Sequence, residues 1–198
     1  MAFITGYVTL PTTTYDDWKN AVAGNGYDAD GYYGCQCWDL CAEFWWNLGF
    51  PQGYPVTRTG GNGSAWMCWT YSKDINKGDK FDLIYNLADV KKGDVIVWDG
   101  TTSFPDGHIG FADEDYDGSG TIAVLGQNQG SGGTPTPVYH PNGGTTANVK
   151  RLSTNNFLGA FRYIGWEDTP PTPPIIRYKG HFKWVLKARK LNQMRNNN

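Results

Sequence analysis

The stretch DADGYYGCQCWD, residues 28–39, sets three aspartates and two glycines against Cys35 and Cys37, with Cys41 close behind. Three chemistries compete for it. Numbered from Asp28, a twelve-residue oxygen-donor loop would draw its ligands from Asp28, Asp30, Tyr32, Gly34 and Asp39. Tyr32 and Gly34 would serve only through backbone carbonyls. The last ligand is Asp rather than the bidentate Glu, and Tyr33 stands where such loops carry glycine. The match is degenerate, and a plain turn at Asp28-Ala29-Asp30-Gly31 accounts for the same residues. Zinc would use Cys35, Cys37 and Cys41 with Cys68 as a fourth thiolate, but the spacing lacks paired C-x2-C knuckles. A Cys35–Cys37 disulfide would be strained, and buried free thiols are the default for Cys41 and Cys68.

Cys37 stands apart because it falls where the loop turns into a helix. Unpaired backbone N–H groups and the helix dipole stabilise a thiolate there, so the position predicts a lowered pKa and a nucleophile. A nucleophilic thiol needs a base, and the chain has three histidines, His108, His140 and His181. His140 sits in a Pro-Gly-Asn loop and His181 near the C-terminal end, whereas His108 opens a predicted strand. A third group should accept from the second ring nitrogen. The neighbouring predicted strand ends in Gln127-Asn128-Gln129, which brings Asn128 toward that ring; a surface histidine after a turn is the competing reading of His108.

The elements that must carry these groups follow from periodicity. Leu40, Cys41, Phe44, Trp45 and Leu48 recur at three- and four-residue spacing, which predicts a helix over Trp38–Leu48 stopped by Gly49. A shorter helix covers Tyr15–Val22, begun by Thr13 or Thr14. Short apolar runs predict strands at Asp94–Asp99, His108–Ala112, Thr121–Gln127 and Ala160–Trp166, with a turn at Asp117-Gly118 and Gly120. Helices first and an antiparallel sheet after make an α+β plan. EDTPPTPP, residues 167–174, reads as a stiff linker. Residues 175–198 alternate around Lys179-Gly180 like a small hairpin, which needs a surface to dock on.

Composition agrees, since an aromatic share of 15% with 26 glycines and 9 tryptophans suits a β-rich, loop-rich globule better than a helix bundle. Trp38, Trp66, Trp69 and Trp98 either flank a groove or pack the core. Seven of the 17 basic residues follow Asp168, the last acidic residue, leaving 10 basic against 19 acidic groups before it. So acidic a body is a poor nucleic-acid binder. The basic end suits an anionic polymer, a nucleic acid or an acidic partner, or simply solubilises the chain. The first residues lack a basic segment and a long apolar run, so the reading is of a protein made in a cytoplasm without a signal peptide and with no membrane span.

YYGCQCWDL (32–40), GNGSAW (61–66), KKGDVIVWDG (91–100), GHIGFAD (107–113), LGQN (125–128) and AFRYIGW (160–166) together resemble the CHAP domain. This is the cysteine- and histidine-dependent amidase/peptidase module of the papain-like superfamily. The resemblance implies a papain-like CHAP fold over residues 1–166, with Cys37 as nucleophile, His108 as base and Asn128 as the orienting amide. It also implies a calcium ion held by Asp28, Asp30, Tyr32, Gly34 and Asp39. Gln36 is expected to line the oxyanion hole beside the Cys37 N–H. The sequence departs from the family at Gly126, where a glutamate is common, which leaves Asn128 to orient the ring alone or with help from Gln127.

The implied activity is hydrolysis of an amide or peptide bond of bacterial peptidoglycan. The setting would be a phage lysin, either an endolysin released through a holin or a virion tail component that meets other tail proteins. The competing expectations are a glycan-binding module or a non-catalytic tail protein with a degenerate CHAP fold.

Overall fold

The computed structural model of the chain describes residues 1–57, 63–76, 79–102 and 104–166. The expected linker at 167–174, the tail at 175–198 and part of GNGSAW lie outside the described residues.

Helix α1, Tyr15–Val22, begins where Thr14 adopts an extended conformation and its hydroxyl accepts from Asp17 N, and it buries Tyr15, Trp18 and Val22. Helix α2, Cys37–Asn47, starts one residue earlier than its apolar pattern suggests, because Gln36 rather than Cys37 is the N-cap. Leu40, Cys41, Phe44 and Trp45 on its inner face are fully buried. Beyond Leu48, Gly49 turns the chain with φ of 88°.

Six strands form one sheet: β3 (Phe81–Ile84), β4 (Val95–Trp98), β5 (His108–Ala112), β6 (Thr121–Gly126), β7 (Asn148–Ser153) and β8 (Phe157–Tyr163). Their order is β3-β8-β4-β5-β6-β7, and every pairing is antiparallel. A separate parallel pair joins β1 (Phe3–Thr5) to β2 (Gly26–Asp28).

The pleat of the sheet divides the core in two. Val95, Val97, Ile109, Phe111, Leu125 and Phe161 face α1, α2 and α3 (Trp66–Asn76), while Ile96, Trp98, Ala112, Ile122, Val124 and Ala160 form a smaller cluster on the other face. Phe44 is the hub of the larger cluster: the rings of Trp18, Phe111 and Trp166 lie 5.0 to 5.1 Å from its own. Buried aromatics of this kind supply about 2–3 kcal/mol each.

The structure departs from the sequence expectations at several elements. The last strand runs Phe157–Tyr163 rather than Ala160–Trp166, because the chain turns after Tyr163 to stack Trp166 on Phe44. α3, β1, β2, β3 and β7 were not anticipated. Asp94, read as the start of a strand, instead closes the turn before β4: its carboxylate accepts from Lys91 N and from both Nε and Nη2 of Arg162 on β8. Among the described residues no helix is long and apolar enough to cross a membrane.

Candidate active site

α2 packs against β5, so its first residue, Cys37, meets the start of that strand, where His108 stands. The backbone N–H of Ile109, the residue after His108, lies close enough to the Cys37 sulfur to favour its thiolate. Cys37 is the one partly exposed cysteine; Cys35, Cys41 and Cys68 are buried, and all four are free. Burial pushes the Cys37 thiol up to about 11, with the Ile109 amide lowering it in part and the Asp39 carboxylate raising it further. Desolvation thus works against the lowering expected at a helix start. His108 shifts the opposite way, to about 4, because burial disfavours the imidazolium, while the nearby side-chain oxygen of Gln129, an acceptor, works against that shift. Both shifts favour the uncharged forms, thiol and imidazole. The indole of Trp98 lies 5.6 Å from the His108 ring.

Gln36 is held at both ends. Its Nε2 donates to Tyr33 O at 2.6 Å, and its Oε1 accepts from Asn128 Nδ2 at 2.7 Å. The Gln36 Nε2 carries a second hydrogen, and the Cys37 N–H falls in the first turn of α2, where backbone donors have no partner within the helix. Gln127 is buried and serves as a strap: it accepts from Tyr27 N, and it donates to Tyr27 O and Gln36 O. Neither Asn128 nor Gln127 is thus committed to His108. The amide that meets the imidazole belongs to Gln129, which the sequence reading passed over in favour of Asn128. The signal was Gly126, whose missing side chain leaves the space that Gln129 fills.

The acidic loop lies directly before this centre. One carboxylate oxygen from each of Asp28, Asp30 and Asp39 falls within 4.8 Å of the others, the one such cluster among the described residues. The four cysteines form no comparable group there. Asp28 Oδ1 is buried without a hydrogen-bond donor. Burial, joined by the charges of Asp30 and Asp28, holds Asp39 up to about 8 even though Gln36 N and Ala29 N donate to its carboxylate. Asp30 is raised as well, by burial first. None of the ion pairs among the described residues involves these three. Tyr32 is exposed, and Gly34 is buried with φ of 70° against Gly143 and His140. Such a set of uncompensated oxygens fits a hard divalent cation.

Of the four candidate groove tryptophans, Trp69 and Trp98 are buried in the two core clusters, while Trp38 and Trp66 are partly exposed. Trp38 Nε1 donates to Pro55 O.

Comparison with known proteins identifies relatives. Residues 16–128, more than half of the chain, match the CHAP domain family. A D-alanyl-L-alanine endopeptidase of Streptococcus phage B30 is 36% identical over 124 residues, covering 59% of this chain and 25% of that protein. The chain therefore spans a quarter of the length of that curated relative. Among solved structures, the wild-type endolysin LysIME-EF1 superposes with a TM-score of 0.54 at 24% identity, covering 79% of this chain and 67% of the endolysin. Ly7917, solved with the hydrolysing product of MDP, aligns with a TM-score of 0.43 at 15% identity over 72% of this chain and 55% of its own.

Proposed function

Because the chain belongs to the CHAP domain family, we propose that it is a cysteine-dependent peptidoglycan hydrolase that cuts an amide or peptide bond of the bacterial wall. The observation that carries this reading is the packing of α2 against β5, which brings the Cys37 sulfur to the Ile109 amide, next to His108. The phage relative, named for endopeptidase activity, supports a peptide bond as the target and a phage lysin as the setting. A non-catalytic wall-binding or tail protein would leave the Cys37 and His108 arrangement without a use.

In the proposed reaction His108 takes the thiol proton as the Cys37 sulfur attacks the substrate carbonyl carbon. The oxyanion that forms is met by the Cys37 N–H and the free Nε2 hydrogen of Gln36. Collapse breaks the carbon–nitrogen bond, and the imidazolium returns its proton to the departing amine, leaving a thioester. Water then gives a proton to His108 and its oxygen to the acyl carbon. The new carboxyl group departs, and the proton goes back to the sulfur.

Asp28, Asp30 and Asp39, with the carbonyls of Tyr32 and Gly34, would hold a calcium ion, a fit supported by the orphaned Asp28 oxygen and the mutual crowding of the carboxylates. Bound there, calcium would offset most of the negative charge of the loop and fix the backbone leading into α2.

The test is clearance of purified walls of several cross-link chemistries by the wild type and by Cys37→Ala, with calcium present. Mass spectrometry of the released fragments identifies the bond cut. The wild type should clear at least one wall type and the variant none. A wild type inactive on all of them, or a variant as active as the wild type, would overturn the reading.

A further inference from the structure

The four residues after Leu125 hold a second relationship to His108. Gly126 carries no side chain, and a Cβ built there would lie 3.0 Å from Gln129 Nε2, 3.1 Å from Gln129 Cδ and 3.5 Å from His108 Nε2. The Gln129 amide and the imidazole nitrogen thus converge on the space above Gly126. Gln129 is buried, and both of its amide hydrogens are committed, one to Val124 O at 3.1 Å and one to Asn148 O at 2.9 Å. These two bonds fix which end of the amide is oxygen. The atom left over is Oε1, buried without a well-aligned donor, and His108 Nε2 is likewise buried without a partner of its own. An acceptor with no donor faces a ring nitrogen that can be either.

We infer that Gln129 is the positioning residue of His108: its Oε1 accepts from Nε2–H, holding the imidazole in the tautomer whose Nδ1 lone pair is free to take the thiol proton. The neutral ring must place its one hydrogen on one nitrogen, and only the Nε2–H form satisfies both buried atoms. Val124 O and Asn148 O, on β6 and β7, in turn anchor the amide to the sheet. Asn128, one residue earlier, faces the other way toward Gln36, because its φ of 54° turns the chain between the two amides. Gly126 is then required as the residue that leaves room for this reach. The tautomer assignment stands on geometry alone; its catalytic consequence rests on the hydrolase reading above.

The test is long-range proton–nitrogen correlation of the 15N-labelled full chain, which reads the tautomer of His108 without reference to activity. The wild type should show His108 as a single Nε2–H tautomer, and Gln129→Met, similar in size but without the acceptor, should show a mixture. On whichever wall the wild type clears, Gln129→Met should lower kcat on the order of 100-fold with little change in KM. Should Gln129→Met fail to fold, Gly126→Ala, which crowds the amide while leaving its two anchors, should give the same mixed tautomer. A wild type in the Nδ1–H form, or variants that keep the pure Nε2–H form, would overturn the inference. A tautomer that responds as expected in a protein inactive on every wall would uphold the positioning role and sink the hydrolase reading instead.

Discussion

Asn128 donates its Nδ2 to Oε1 of Gln36 across 2.7 Å, tying the left-handed residue after β6 to the residue immediately before Cys37. With Tyr33 O fixing the other end, the Gln36 amide cannot rotate without breaking a bond. Asn128→Ala releases one end. It should lower kcat on wall fragments about tenfold, less than the 10²–10³ lost when a direct oxyanion donor is removed, with melting unchanged. Steady-state kinetics beside a thermal melt check this, and an unaltered kcat would show that Gln36 needs no second anchor.

Calcium should raise the melting temperature. At a concentration 100 times its Kd, a ligand bound only by the folded state stabilises by about 2.7 kcal/mol, which is a shift of about 5–10 °C for a chain of this size. Asp28→Asn removes a charge from the cluster at the buried, orphaned oxygen and should abolish the shift. Calorimetry with calcium and with chelator reads both proteins. A wild type that melts at the same temperature in each would rule the ion out.

Glu43 lies fully buried on α2, with one oxygen accepting from Val8 N and the other unpartnered. Burial raises its pKa from 4.5 to about 7. Below about 4.5 both folded and unfolded chains hold the proton, so stability is then at its fullest with respect to this group. Between those values the unfolded chain releases the proton while the folded chain keeps it, and stability falls by an amount on the order of 3 kcal/mol before levelling above 7. Glu43→Gln keeps an acceptor for Val8 and should remove that part of the slope. Urea midpoints at pH 5 and pH 8 measure it, and equal slopes in variant and wild type would contradict it.

Gly34 and Gly49 both adopt positive φ, of 70° and 88°, but only Gly34 is hemmed in. A Cβ at Gly34 would strike Gly143 O and the His140 ring, whereas at Gly49 nothing lies within 4 Å. Gly49→Ala should cost only the left-handed penalty of about 1–2 kcal/mol. Gly34→Ala should cost more and also weaken the response to calcium, because the same residue shapes the acidic loop. Paired thermal melts with and without the ion separate the two, and equal losses would show that the crowding relaxes freely.

Much of this architecture is written in local pattern. α1 is legible from its Thr14 cap, α2 from the spacing of Leu40, Cys41, Phe44 and Trp45, and β5 and β6 from apolar runs around the Asp117-Gly118 turn. β7 was missed because NVKRLS presents charged residues at positions where strand reading looks for apolar ones. α3 was missed because Thr70, Tyr71 and Ser72 interrupt its apolar face, and its packing is supplied by Phe161 and Gly159 from far along the chain. At the site, types and spacing brought forward Cys37, His108 and the acidic loop. The division of labour among Gln127, Asn128 and Gln129 is set by one backbone dihedral and by partners on β2, β6 and β7, which no one-dimensional pattern carries.

Gln36 and Asn128 meet although 92 positions separate them. Gln36, Cys37 and His108 all precede the exposed 117–120 turn, while Asn128, which holds Gln36, and Gln129 follow it. Cut there, the chain would yield two inert fragments, one bearing Cys37 and His108 and the other the Asn128 and Gln129 amides. Clearance of walls on mixing would then report complementation between the halves.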